Sequence, residues 1–196
     1  MTAEGNGMRA RAREAVTCAL ADLALDMFDQ HGYDTVTVAD IAKAADISSR
    51  SFFRYFPNKD DVVFGSRMPT AQAVVDAYLS HGGSPWEALR LTFRGAGVEM
   101  DLMAESWKQI MRIISSSSEL RAKNLERHIA WAVALMPHVE KSIPDSNSRR
   151  LADITINSAL TCFDVALRTW SQSDGSTPLA DIIDDMFAQV QIPAAG

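Results

Sequence analysis

The segment from Thr37 to Lys59, TVADIAKAADISSRSFFRYFPNK, constrains the fold more than any other part of the chain. It encodes two short helices meeting at a tight corner. Thr37 caps the first, because its hydroxyl accepts from the free amides of the opening turn, and Asp40 suits that electropositive end. Ile41, Ala42 and Ala45 then fall on one apolar face. Asp46-Ile47 is the corner, with Ile47 expected as a buried wedge. Ser48 caps a second helix in which Phe52 and Phe56 stand one turn apart and point inward together. Ser49, Arg50, Phe53 and Arg54 are left facing out. Pro57 stops the helix, since its ring clashes with the preceding turn and it has no amide to donate. Two helices at such a corner are the means by which a helix-turn-helix sets its second helix in a DNA major groove.

The helix before this segment is predicted over about Arg9 to Gln30. Val16, Ala19, Leu20, Leu23, Ala24, Met27 and Phe28 form a nearly unbroken apolar stripe, the floor for the two motif helices. Gly32 ends it by taking the left-handed conformation beyond the last turn. Arg9, Arg11 and Arg13 at its start suit phosphate or solvent better than bases.

On the elements FDQHGYDTVTV, T-V-A-D-I-A and ISSRSFFRYFPNKDDV, residues 9 to 67 resemble the DNA-binding region of the TetR family of bacterial transcriptional regulators. The FFRYFP run looks like a form common in actinobacterial members. The usual pair of aromatics followed by His is replaced here by Phe53, Arg54 and Tyr55. The resemblance implies an all-α chain, with a three-helix DNA-binding domain over 1–60 and a helical bundle for ligand binding and dimerisation over 61–196. It implies phosphate contacts at Thr37, Arg54, Tyr55 and Lys59. Such contacts set register and carry no sequence information directly. Arg50 is the base-reading candidate, because its fork can hold guanine O6 and N7 together. Ser48 and Ser49 join the DNA set at the helix start, and Phe53 suits a thymine methyl.

Charge narrows the binding mode. The chain carries a net charge of -6, and even residues 1–60 hold seven basic against nine acidic side chains. A protein that coats nucleic acid without sequence preference needs a broad basic surface, so a few placed cations favour a site-specific reader. The resemblance implies a dimer, which also suits the geometry of reading, since two recognition helices must reach half-sites about 34 Å apart.

After Lys59, Val62, Val63 and Phe64 continue into a helix, and Pro69 predicts a break near Arg67 to Thr70. Ala73 to Leu79 resumes, and His81-Gly82-Gly83 closes that helix. Ser84-Pro85 opens the next, which Gly95 and Gly97 weaken or open to a close neighbour. Trp107, Ile110, Met111 and Ile114 share a stripe. Ser116 and Glu119 read as a capping box for a further helix, whose Ala122, Leu125, Ile129, Ala132 and Met136 line one side. Ala152, Ile156, Ala159, Leu160, Phe163, Leu167 and Trp170 face inward on the penultimate helix, where Ser158, Cys162 and Ala166 allow close contact on another side. Thr177 is expected to cap the last helix, with Pro178 at its first position. By resemblance, the last two helices pair with their twofold mates.

Enzyme chemistry finds no support. The four histidines have no metal-ligand spacing with each other or with cysteine, no HExxH or CxxC occurs, and Ser115 to Ser118 lacks a neighbouring base. No cofactor is expected. Cys18 and Cys162 are too few and too far apart for a disulfide framework. No apolar run reaches the ~18 residues of a membrane helix, and the N-terminus does not read as a signal peptide, so the expectation is a cytoplasmic protein. The expected partners are operator DNA, a second copy and a small apolar or amphiphilic effector that releases a repressor. Trp107, Met111, Trp131, Phe163 and Asp164 are the effector-site candidates, with Arg112, Arg168 or the ligand as partner for Asp164. The competing reading is a helix-turn-helix regulator whose C-terminal bundle binds a protein and no small molecule.

Overall fold

Capped, amphipathic segments of this kind fold into helices throughout, and the computed structural model bears this out over residues 3–65, 67–173 and 176–190, with side chains described from residue 10. Among the described residues there are ten helices and no strand. In chain order they are α1 (Ala3–His31), α2 (Val38–Ala44), α3 (Ser49–Phe52), α4 (Asp61–Phe64), α5 (Ala71–Leu79), α6 (Pro85–Asp101), α7 (Ala104–Ser116), α8 (Ser118–Lys141), α9 (Ser148–Gln172) and α10 (Leu179–Gln189). They form two compact units, Met1–Met68 with Arg112–Arg121, and Pro69–Met111 with Ala122–Gly196.

In the first unit the buried face of α1 is Leu20, Ala21, Ala24, Leu25 and Phe28. Val16 and Ala19, expected in the stripe, are exposed, because the motif helices cover only the C-terminal half of α1. Val62 and Val63 of α4 are buried and complete this core. The end of α7 and the start of α8 belong here too. Arg112 donates to Asp29 at 2.9 Å, and the buried Ser117 hydroxyl donates to Asp34 at 2.8 Å. Ser117 also accepts from the Leu120 amide, so it is the residue that starts α8. The expected cap Ser116 instead turns back to the Ile113 carbonyl.

The break predicted at Pro69 separates α4 from α5, and Thr70 caps α5 by accepting from the Ala73 amide. Ser84 caps α6 with Pro85 in its first turn. In the second unit α6, α9 and α10 enclose the core. Phe93 stacks on Phe163 at 4.8 Å between ring centroids, and Trp86 meets Phe187 at 4.6 Å. Gly97 is where α6 and α10 touch: a Cβ there would lie 2.8 Å from Ile183 Cδ1 and 3.2 Å from the Ala180 backbone. Gly95 faces open space. Arg90 and Arg94 clasp Asp184 of α10, and Glu87 holds Arg90. The small residue Cys162 of α9 approaches the Met186 carbonyl of α10 at 3.7 Å.

Two sequence expectations in this unit are corrected. The cap of α10 is not Thr177. Pro178 occupies the N-cap position without a side-chain bond, and Asp101 of α6 accepts from the Leu179 and Ala180 amides at 2.9 and 3.2 Å. On α8 the N-terminal part of the expected inner row faces out, with Leu125 and Ile129 exposed by 60% and 55%, while Ala132 and Met136 pack partly buried against the core. The face that packs carries His128, Trp131, Leu135 and Val139.

Candidate nucleic-acid interface

The interface is built on the exit from α1. Gly32 takes a φ of +85°, free of the Cβ clash that penalises other residues there, and reverses the chain. Tyr33 and Val36 then bury under the motif. Burial, then the nearby carboxylates of Glu119, Asp60 and Asp34, push the Tyr33 phenol well above its ordinary pKa, so it stays neutral. Lys59 reaches back to this turn. Its ammonium donates to the Tyr33 carbonyl at 2.8 Å and the Val36 carbonyl at 3.1 Å, and stands 3.9 Å from the Tyr33 ring centroid. Two of its three donors are thus committed inside the protein.

Thr37 starts α2 with a reciprocal box. Its hydroxyl oxygen accepts from the Asp40 amide at 3.2 Å, and Asp40 accepts from the Thr37 amide at 2.9 Å and from the Thr37 hydroxyl at 2.6 Å. The Thr37 hydroxyl, then its amide, hold the Asp40 carboxyl below the usual carboxylate range. At the far end Asp46 adopts a left-handed φ of 53°. The Ile47 amide donates to the Ala42 carbonyl and the Asp46 amide to that of Lys43, the two bonds of a Schellman ending. Aspartate replaces the usual glycine there, since its short side chain tolerates this conformation. Ile47 is half-buried, less than the expected wedge, because the corner itself stays near the surface.

Ser48 then caps α3 by accepting from the Ser51 amide at 3.1 Å. Phe52 and Phe56 bury side by side with centroids 5.5 Å apart. Past Phe52 the turn tightens, with Arg54 and Tyr55 amides donating three residues back. Arg50, Phe53 and Arg54 are exposed, while Ser49 and Tyr55 are half-buried. Phe53, half exposed, sits edge-on to Phe52.

A residue that the sequence left between phosphate and solvent joins this surface. Arg13 of α1 donates to the Arg54 carbonyl at 3.0 Å, across an open recess of about 500 Å³ lined by Ala12, Arg13, Val16, Arg54 and Tyr55. Two arginines and a tyrosine therefore border one concave spot, residue types that can receive a phosphate. The available signal was that Arg13 lies three residues before Val16, on the same helix face. Arg11 is exposed, and the Arg9 side chain lies outside the described residues.

The effector-site candidates do not line one space. Trp131 and Phe163 are buried in the second unit's core, and Trp107 and Met111 pack partly buried against it. Asp164 instead borders an open groove of about 560 Å³ between α8 and α9. Its partner is the buried His128, whose Nδ1 lies 3.2 Å away, and not Arg112, which binds Asp29. Close by, burial pushes the Arg127 guanidinium down to about 10, and its carbon lies 5.2 Å from the Trp131 ring centroid.

Comparison with known proteins agrees with this geometry. Residues 20–64 match the model for bacterial regulatory proteins of the tetR family, and residues 83–195 match the MftR C-terminal domain. The putative mycofactocin biosynthesis transcriptional regulator MftR of Mycobacterium tuberculosis is 29% identical over 135 residues, covering 67% of each chain. The HTH-type transcriptional regulator TcmR of Streptomyces glaucescens is 31% identical over 99 residues, covering 47% of this chain and 42% of that one. In fold, the chain is similar to NalD, the secondary repressor of the MexAB-OprM multidrug efflux pump in Pseudomonas aeruginosa. That match has a TM-score of 0.61 and 18% identity, over 91% of this chain and 96% of that one. FadR of Bacillus subtilis in complex with stearoyl-CoA aligns with a TM-score of 0.57 and 19% identity, over 86% and 94%. The chain belongs to the tetR family and is a transcriptional regulator, not an enzyme.

Proposed function

We propose that the protein is a repressor that binds a palindromic operator as a homodimer and leaves it when an amphiphilic effector enters the second unit. The observation that carries the DNA part is the capped corner of α2 and α3, which leaves Arg50 and Phe53 exposed beside the Arg13–Arg54–Tyr55 recess. Arg50 reads a guanine, and Phe53 with Ser49 completes the base-facing set. Thr37, Ser48, Arg54 and Tyr55 take the backbone, where one phosphate fits the recess. Lys59 contributes at most its third N–H and chiefly holds the corner at the end of α1.

The effector reading rests on the interior of the second unit. Trp107, Met111, Trp131 and Phe163 are large side chains around one core, and the His128–Asp164 pair supplies polar groups at its edge. A long apolar chain inserted among them displaces packed rings, which gives bound and free proteins different shapes. Such a ligand shifts the equilibrium only by its difference in affinity for those two states. FadR bound to stearoyl-CoA shows that a related fold accepts an acyl thioester, so long-chain acyl-CoA is the first ligand to try.

The test is operator selection from random DNA with the full chain, followed by titration with stearoyl-CoA, stearate and acetyl-CoA. Recovery of an inverted repeat, and its release by the long-chain compounds but not acetyl-CoA, is expected. Selection without any inverted repeat would refute the dimeric reader. Release by none of the three would refute the acyl effector.

A further inference from the structure

The segment Arg112–Arg121 belongs to the first unit, although it lies far along the chain from the rest of that unit. Its Ile113, Ile114 and Leu120 are buried and stand outside the core of the second unit. Arg121 closes the junction of α7 and α8 by donating to the Ser115 carbonyl at 2.6 Å. This junction meets the acidic side of α1 and the turn that follows it. Asp22 and Asp29, seven residues apart and so on one face of α1, each hold an arginine from later in the chain. Arg67 lies 2.7 Å from Asp22, and Arg112 lies 2.9 Å from Asp29. Asp34 accepts from the Ser117 hydroxyl at 2.8 Å. Three of the nine acidic side chains of residues 1–60 thus have partners inside this unit.

The turn from Gly32 to Val36 closes on itself only weakly. The Thr35 and Val36 amides both donate to the Gly32 carbonyl, at 3.3 and 3.2 Å, the long end of the range for such bonds. Two ties from elsewhere hold it. Lys59, just past the recognition helix, bonds the Tyr33 and Val36 carbonyls, and Ser117 bonds the Asp34 carboxylate from the α7–α8 junction. Thr37, whose capping box starts α2, follows the turn directly.

We infer that Asp34 and Ser117 are positioning residues for operator reading, which makes the α7–α8 junction a working part of the DNA-binding unit. This rests on the DNA reading above, in which neither residue touches DNA. Their bond holds the turn in the arrangement that presents Thr37 and the Lys59-anchored corner together. A chain that keeps this arrangement for only part of the time binds its operator more weakly in proportion.

The test is binding of the selected operator by the full chain at several salt concentrations, followed by fluorescence anisotropy. It compares the parent with Asp34→Ala, Asp34→Asn, Ser117→Ala and the double alanine variant, each checked for helicity by circular dichroism. Asp34→Ala and Ser117→Ala should each raise the dissociation constant by roughly three- to tenfold, the span of one net hydrogen bond. The double variant should be no weaker than the weaker single one, since both lose the same bond. Asp34→Asn keeps an oxygen that accepts from Ser117, so it should bind at least as tightly as the parent. Removing a negative charge would by itself tighten both Asp34 variants, so opposite responses to alanine and asparagine report positioning. The salt slope should stay at the parent's value, because no phosphate contact is lost. The two Asp34 variants carry the test alone if Ser117→Ala does not fold. Alanine variants that bind as the parent does, or Asp34→Asn as weak as Asp34→Ala, would overturn this role while leaving the DNA reading intact. A changed salt slope or additive losses in the double variant would overturn it in the same way. A parent chain that selects no operator would overturn both.

Discussion

The Ser117 hydroxyl, buried where α7 passes into α8, donates to Asp34 at 2.8 Å and so ties that junction to the turn before α2. The neighbouring Arg112–Asp29 pair makes a parallel tie but is more open to water, with Arg112 51% exposed. Exposed ion pairs contribute roughly 0–1 kcal/mol, so the buried hydroxyl is the stronger link. Ser117→Ala should lower the unfolding free energy by about 1–2 kcal/mol, because the Leu120 amide also loses its acceptor. Urea unfolding of Ser117→Ala, Asp34→Ala and the double variant measures the coupling. Strictly additive losses would show that the two residues do not act together.

Lys59→Met tests the anchor beneath the recognition helix. Removing the ammonium leaves the Tyr33 and Val36 carbonyls without a donor, which should cost about 1–3 kcal/mol in urea unfolding. An unchanged midpoint would contradict the anchoring role. The salt dependence of DNA binding separates the second role. A slope lowered by about one assigns a phosphate to the third N–H, and an unchanged slope makes Lys59 wholly internal.

The two glycines of α6 should respond in opposite directions. Gly97→Ala forces a Cβ against the Ala180 backbone and the Ile183 methyl, so it should destabilise by about 1–3 kcal/mol. Gly95→Ala meets nothing within 4 Å, and should stabilise the helix by about 0.5–1 kcal/mol through reduced chain entropy. Thermal melts of both variants decide it. A stable Gly97→Ala would mean that α6 and α10 are not in the close contact described.

What was legible in the sequence was local. Thr37, Ser48 and Ser84 cap helices whose amides lie within three residues, and Gly32 acts at its own backbone, so each signal and its target share a few positions. The errors arose where the partner lies far along the chain or where several residues fit equally. Asp101 caps α10 from α6, and nothing near Thr177 encodes that. Four consecutive serines each suit a cap, and only the burial of Ser117 against Asp34 distinguishes it. Helix α8 has apolar residues on two faces, so periodicity alone does not say whether Leu125 or Leu135 points inward. The same ambiguity left Asp164 without its partner, since His128 is on that other face of α8. The corner of α2 and α3 was easier to read because capping, aromatic spacing and a proline stop agree within one short segment.

The account turns on Arg50 as a base reader, and one measurement addresses it most directly: affinity of the parent and Arg50→Ala for the selected operator and every single-base variant of it. The parent should lose about 1–3 kcal/mol when the contacted guanine is changed, and Arg50→Ala should show no preference at that one position per half-site while keeping its preferences elsewhere. Equal weakening of Arg50→Ala across all the sequences, with every preference retained, would place Arg50 on phosphate and contradict the account.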